Sequence, residues 1–277
     1  MSEFGEIEVI EDINKSIYWY VVERWKIFLL PAGILIISGI FIMGSDAAIW
    51  LIGGGVFWVL LGAVLGKLRV MEAFMRQFAL RNHFTYVGEV DPESAIGSLF
   101  KRGHSREISN AVLGARGGHD LRFFFFYYTV GSGKHKKTYS YTVCEIKMKG
   151  ASPDIIVESR DDWDFQSYAK EHQKEILMES SFRDHFAVWA PEDFEIETFE
   201  IFTPDVMSEL INRAKQYNFE FIEDRMYVFR FGEITKKAEL EEFLKLTEYL
   251  ISALGQKVFR LSDDVRALKE AEGRRAV

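Results

Sequence analysis

Cysteine is almost missing from this chain. Cys144 is the only one in 277 residues, so no intrachain disulfide can form, which fits a reducing compartment. Proline occurs five times, so element ends must be read mainly from glycine, polar clusters and hydrophobic period. A basic start is missing too. The first 15 residues carry the acids Glu3, Glu6, Glu8, Glu11 and Asp12 against one base, Lys15, the reverse of a cleavable signal peptide.

Several chemistries lack their residues. The six histidines are His83, His104, His119, His135, His172 and His185; none pairs with another at metal-ligand spacing, and there is no HExxH or CxxC. Ser105, after His104, lacks the GxSxG elbow. Gly131-Ser132-Gly133-Lys134 has the wrong glycine spacing for a phosphate loop, and strand residues follow it where a helix is required. His119-Asp120 is an isolated neighbour pair, and Cys144 reads as a buried structural thiol. We therefore nominate no catalytic, cofactor-binding or metal-ligating residue and expect no cofactor. Net charge is −8, and Phe123 to Tyr128 is one unbroken apolar run rather than aromatics interleaved with bases, which argues against nucleic acid.

The largest absence is of charge. Ile27 to Ser45 is 19 residues without an ionisable group, and Ala47 to Gly66 is another 20. Each is close to the roughly 20 residues that cross a bilayer core. The connection Gly44-Ser45-Asp46 makes the two spans antiparallel neighbours. Arg24 and Lys26 precede the first span, Lys67 and Arg69 follow the second, and the tip has no base. Because Lys and Arg stay on the cytoplasmic side, both termini are expected there, with the chain in the inner (plasma) membrane. Tyr18, Trp19, Tyr20 and Trp25 fit an interfacial belt, and Pro31 sits near the start of the first span. Gly53 to Gly55 and the Gly62/Gly66 GxxxG suit close helix packing, within the hairpin or in a homo-oligomer. Neither span carries the ionisable groups that mark ion or proton paths.

Beyond the hairpin, 48% hydrophobic content and 24 Phe call for a packed core. Residues 67–82 continue as a helix, with Val70, Met71, Phe74, Met75 and Phe78 on one stripe. This stripe packs either on a domain or in the headgroup layer. Residues 83–108 read as loop-rich. From 109 a strand period begins: Ala111 to Ala115, a Gly117-Gly118 turn, Leu121 to Val130, a Gly131–Lys136 turn, and Lys137 to Met148, an antiparallel meander. A short strand at Ile155 to Val157 follows. Thr203-Pro204-Asp205 starts a helix. A hairpin is expected about Glu223-Asp224-Arg225. A helix with Leu240, Phe243, Leu244, Leu250 and Leu254 stops at Gly255, and Ser262 caps one more.

Charge changes sign at Gly150–Pro153. Residues 67–149 hold 14 bases and 7 acids, and residues 154–210 hold 4 bases and 16 acids. The fold class is α+β: an N-terminal two-helix transmembrane hairpin, then a cytoplasmic region with an antiparallel β-meander and helices. The segments are 1–26 (acidic), 27–66 (hairpin, 27–45 and 47–66), 67–150 (basic helix and sheet), 151–255 (acidic α+β lobe) and 256–277 (helix or tail). Bases close to the membrane favour anionic lipid, which nominates Arg76, Arg81, Lys101, Arg102, Arg106, Lys134, Lys136 and Lys137 as headgroup contacts.

The stretch Leu99–Arg106 with Asn110–Gly114 resembles a segment of bacterial two-span membrane proteins similar to the DUF3137-type family of unknown function. Glu179–Pro191, Phe202–Met207 and Phe221–Val228 strengthen the resemblance, as does the order of hairpin, basic segment, sheet and TPDVM-type helix. It spans most of residues 16–254. It implies an architecture and no active site. The expected role is a membrane-anchored binding or scaffolding module, with the bilayer and a protein partner or homo-oligomer as partners. The alternatives are a membrane-bound enzyme with scattered residues and a structural subunit of a larger membrane assembly.

Overall fold

The computed structural model describes residues 11–161 and 168–275, with side chains described through Leu261; residues 1–10, including most of the N-terminal acids, lie outside. The chain forms two compact units, residues 11–80 with 235–240, and residues 81–234 with 241–275.

In the first unit, Asp12 caps α1 (Ile13–Glu23) by accepting from the N–H groups of Asn14 and Lys15. The backbone of Ile13 donates to Thr235 at 2.9 Å. Helix α2 (Trp25–Phe41) follows after a 73° bend at Arg24. The first uncharged run is thus helical only to Phe41, and Ile42–Ser45 makes the turn, with Gly44 at φ 112°. The second run is the first part of α3 (Asp46–Arg81), 36 residues, or about 54 Å. Helix α3 is long and apolar enough to cross a membrane, as are α1 and α2 taken together.

The hairpin packs through glycine. A Cβ at Gly55 would lie 2.8 Å from the Ala32 carbonyl oxygen, one at Gly62 2.7 Å from the Phe28 ring, and one at Gly66 3.1 Å from Tyr20. The GxxxG therefore faces this chain's own α2 and α1, whereas Gly53 meets nothing within 4 Å. Pro31 is the seventh residue of α2, deeper than its sequence position implied. It has no N–H to give the Ile27 carbonyl. The Trp58 indole of α3 donates there instead, at 2.8 Å. The stripe of Val70, Met71, Phe74, Met75 and Phe78 is buried by protein.

The second unit is a mixed assembly of helices on an antiparallel sheet. Its strands are β1 (Thr85–Val90), β2 (His104–Arg116), β3 (His119–Val130), β4 (Lys137–Ser159), β5 (Gln173–Ile176), β6 (Phe186–Pro191) and β7 (Asn218–Phe231). They run β1-β2-β3-β4-β6-β5, with β7 on the other edge of β4. The antiparallel order of β2, β3 and β4 is as read from the sequence, although β2 begins at His104, inside the stretch read as loop-rich. β1 was not, since Gly88 at φ 89° interrupts its period with a register shift. Short helices α4 (Ser180–Arg183), α5 (Glu195–Ile201) and α6 (Pro204–Arg213) fill the β5–β7 connections. Thr203 begins α6, as expected.

Two turn signals belong to one irregularity. β4 does not stop at Gly150–Pro153, and β7 is a single strand rather than a hairpin about Glu223–Arg225. The register jumps from Lys147↔Arg225 to Ser152↔Glu223, and Glu223 takes φ 53°. The polar residues on both strands face each other across a bulge, where Pro153 and small residues are tolerated. The basic and acidic stretches therefore share one sheet, and Ile155–Val157 is part of β4.

Phe123 to Phe126 are all 0% exposed, because both sheet faces are covered. On one face Phe123 meets Phe243 of α7 (Lys237–Arg275) edge-on at 5.6 Å. On the other, Phe124 and Phe126 pack against Phe100, whose ring also meets Tyr227 at 4.9 Å. Helix α7 runs through Gly255 without a stop, and Ser262 opens no new helix. Val258 is fully buried and Leu261 is 9% exposed, continuing the Leu250/Leu254 stripe past the glycine.

Candidate binding groove

The two-residue turn Gly117-Gly118 joins β2 to β3 with positive φ at both positions, 57° and 76°, as a tight hairpin demands. It pairs Arg116 with His119 across the ladder. Lys149 of β4 lies beside the turn, its Nζ 3.2 Å from where a Gly118 Cβ would be. Opposite these residues α7 presents Glu248, Ile251, Ser252, Gly255, Gln256 and Phe259. Together they line an open groove of about 760 Å³, within the range of small-molecule sites.

Each polar wall has a definite state. Arg116 donates to Glu248 at 3.1 Å, to the Asn82 carbonyl at 2.8 Å and to the Ala115 carbonyl at 3.1 Å. Its guanidinium also lies over the Phe84 ring, so it is fixed and its charge is matched by Glu248. His119 is buried, and its Nδ1 is 2.9 Å from the Lys147 carbonyl. A carbonyl can only accept, so Nδ1 carries the hydrogen. His119 Nε2 lies 3.1 Å from where a Gly255 Cβ would be. That close approach explains a glycine in mid-helix, which costs about 1 kcal/mol relative to alanine. Among the described residues Lys149 has no ion-pair partner.

Asp120 is exposed and does not line this groove, and the hydrogen bond of His119 Nδ1 goes to Lys147 instead. His104 lies at the opposite end of β3, its Nε2 2.8 Å from the Gly131 carbonyl. Cys144 is fully buried, and burial pushes its thiol well up. The groove therefore gathers His119 with Glu248, but neither His104 nor Cys144. The signals that sequence reading passed over were Gly255 as a close-approach residue and the apolar stripe beyond it.

Of the nominated headgroup contacts, Arg76 is paired with Glu72 at 2.9 Å and Arg81 with Glu241 at 3.3 Å. Arg106 is paired with Glu93 at 3.0 Å. Arg102 lies 4.0 Å over the Tyr168 ring, and Lys137 4.3 Å over Tyr139. Lys101, Arg102, Lys134, Lys136 and Lys137 gather at the end of the sheet where His104 pairs with Thr129, and Lys134 is in the exposed turn Gly133–His135. Arg81 precedes Asn82, which is bonded to Arg116 at the other end. The 12 residues of β3 separate the ends by about 40 Å, so the nominated bases do not form a single patch.

Beneath the sheet face lies an ionic framework. Glu145 on β4 bridges Arg122 on β3 and Arg225 on β7, and both arginines also donate to Ser94, Arg122 at 2.8 Å to its hydroxyl and Arg225 at 3.0 Å to its carbonyl. Burial, with help from Glu145, pushes Tyr227 up to about 12, so its protonated hydroxyl accepts from the Ile96 N–H at 3.1 Å. Glu220, 1% exposed, accepts from the Ser98 N–H at 2.6 Å and hydroxyl at 2.7 Å. These groups tie the Pro92–Lys101 segment to the sheet.

No family model matches the chain, and no curated protein does. Among solved structures, the crystal structure of the mycobacterial trehalose monomycolate transport factor A, TtfA, is similar in fold. The TM-score is 0.50 and the identity 11%, over 67% of this chain and 97% of that one.

Proposed function

We propose that this protein is a membrane-anchored binding or scaffolding module, held in the plasma membrane by α2 and the first half of α3, with both termini and the sheet unit on the cytoplasmic side. The observation that carries this is the outward face of the hairpin. Phe41 and Trp50 are 85% and 82% exposed, and Ile34, Ile37, Phe57, Leu60 and Val64 are exposed with them. Water would penalise such a surface and lipid does not. The bases beside the hairpin all lie away from its Ile42–Ser45 turn, which supports the orientation. Helix α1, bent by 73° from α2 with Tyr18 and Trp19 exposed, suits a segment lying in the interface. The resemblance to the DUF3137-type family belongs to the same reading. The fold shared with a transport factor agrees with a binding role and, at 11% identity, transfers no ligand.

Single cysteines at Ser45 and Ser132, in a Cys144→Ala background, test the anchor and its orientation. On intact cells an impermeant maleimide should label Ser45→Cys, and Ser132→Cys only after permeabilisation. Labelling of Ser132→Cys from outside would overturn the orientation, and release of the chain from membranes by alkaline carbonate would overturn the anchor.

A further inference from the structure

One end of the sheet carries charge of a single sign. Strand pairing sets His104 opposite Thr129 and Val130 opposite Lys137, which brings residues 101–106 and 129–140 together. These stretches hold the bases Lys101, Arg102, Arg106, Lys134, Lys136 and Lys137, two histidines and no acid. Arg106 is matched by Glu93. Lys101, Lys134 and Lys136 are exposed and have no ion-pair partner among the described residues. The tip projects, since every residue from Val130 to Thr138 is exposed. It is also preformed. The His104 imidazole joins the two loops, its Nε2 2.8 Å from the Gly131 carbonyl and its Nδ1 3.1 Å from the Ser105 hydroxyl. A Cβ at Gly103 would run into the Thr129 carbonyl.

Three kinds of anionic partner carry the charge to meet this tip, and its chemistry separates them. A nucleic acid needs open aromatic faces for its bases. Here Tyr139 stacks on Tyr128 and carries Lys137, while Tyr168 carries Arg102. An acidic peptide needs a groove to lie in, and a projecting run of exposed residues offers none. A charged plane needs only point charges that stand out from the fold. We infer, on the premise of the membrane anchor above, that this tip docks on anionic lipid of the bilayer that holds the chain, through Lys101, Lys134 and Lys136. The anchor keeps that surface at high local concentration. Helix α3 runs 15 residues past Gly66 to Arg81, about 22 Å. The sheet is about 40 Å from end to end, so length does not hold the tip off the bilayer.

The full chain in nanodiscs of phosphatidylcholine, with and without phosphatidylserine, tests this. A dye on Ser132→Cys, in a Cys144→Ala background, reports by energy transfer to a headgroup dye. Transfer should be high with phosphatidylserine, fall as salt rises, and be low in phosphatidylcholine alone. Each lysine near the surface changes the ratio of docked to free tip about fivefold, so Lys134→Glu with Lys136→Glu should lower that ratio by at least about 30-fold. Lys147→Glu with Lys149→Glu makes the same change in net charge at the far end of β4, on side chains that are also exposed, and should leave transfer as it was. Transfer that ignores phosphatidylserine, or that falls equally for the two pairs, would overturn the assignment. In that event a chain that stays in native membranes through alkaline carbonate keeps its anchor, whereas a chain that is released loses the anchor and this inference with it.

Discussion

The pairing of Pro31 with Trp58 makes a quantitative prediction about the hairpin. Pro31 leaves the Ile27 carbonyl without its helical donor, and the Trp58 indole supplies one from the neighbouring helix at 2.8 Å. With the hairpin in a membrane as proposed, this carbonyl lies one residue inside Lys26, where water reaches it only from the headgroup side, so Trp58→Phe leaves it under-bonded while keeping an aromatic ring. A lost hydrogen bond with an unsatisfied partner costs about 1–3 kcal/mol in general. Measured interhelical bonds in membranes average about 0.6 kcal/mol and reach about 1.7. Pro31 removes the i+4 donor of Ile27 and interfacial water offsets part of the loss, so the expected cost is roughly 1 kcal/mol. In a Pro31→Ala background residue 31 regains an N–H, the carbonyl is satisfied within α2, and Trp58→Phe should cost little. The double-mutant cycle isolates the bond. Its coupling, measured by unfolding the full chain with dodecyl sulfate in mixed micelles and followed by circular dichroism, should be about 1 kcal/mol. A coupling below about 0.3 kcal/mol, within the additivity error, would refute the view that the indole replaces the missing amide.

In the same assay Gly55→Ala should destabilise the hairpin by about 1–3 kcal/mol, since its Cβ would sit 2.8 Å from a backbone oxygen. Gly53→Ala, with nothing within 4 Å, should be neutral or stabilising; equal effects would show that the glycines are not the packing surface. Glu145→Gln should cost roughly 3 kcal/mol in chemical unfolding, the low end for a broken buried pair, because Arg225 keeps 31% side-chain exposure; a loss under about 1 kcal/mol would place the framework at the level of surface pairs. Burial raises the Glu220 carboxyl above its ordinary value, against the Ser98 bonds and Lys170. The folded chain therefore holds this proton to higher pH than the unfolded one. Its contribution is most favourable below the unfolded value and is lost as pH rises through the folded one. Glu220→Gln should flatten that fall above the ordinary carboxylate range, and denaturant midpoints that drop in parallel for both chains would contradict it.

Some of this protein was legible in its sequence because the physics is local. Two uncharged runs can only be lipid-compatible helices or a deep core, and the period of residues 67–82 continues α3 to Arg81. The Gly117-Gly118 turn and the alternation after Lys137 gave the meander, since turn chemistry and side-chain period act over a few residues. The unbroken apolar run from Phe123 to Tyr128 is a sign of burial on both faces, although it does not say which elements supply it.

Tertiary contact decided the rest. Gly150–Pro153 and Glu223–Arg225 each look like a chain reversal alone, and only their juxtaposition shows one bulge that lets β4 and β7 continue. Gly255 looks like a helix end, and only the approach of His119 shows it as a place where a Cβ would be tightly packed. Lys149 and Phe259 are unremarkable in sequence, 110 residues apart, and line one groove only because α7 crosses the end of the sheet. Spacing along the chain records what each residue can do with its neighbours. What distant residues do together depends on a packing that many pairwise choices settle jointly, and no short window of sequence contains it.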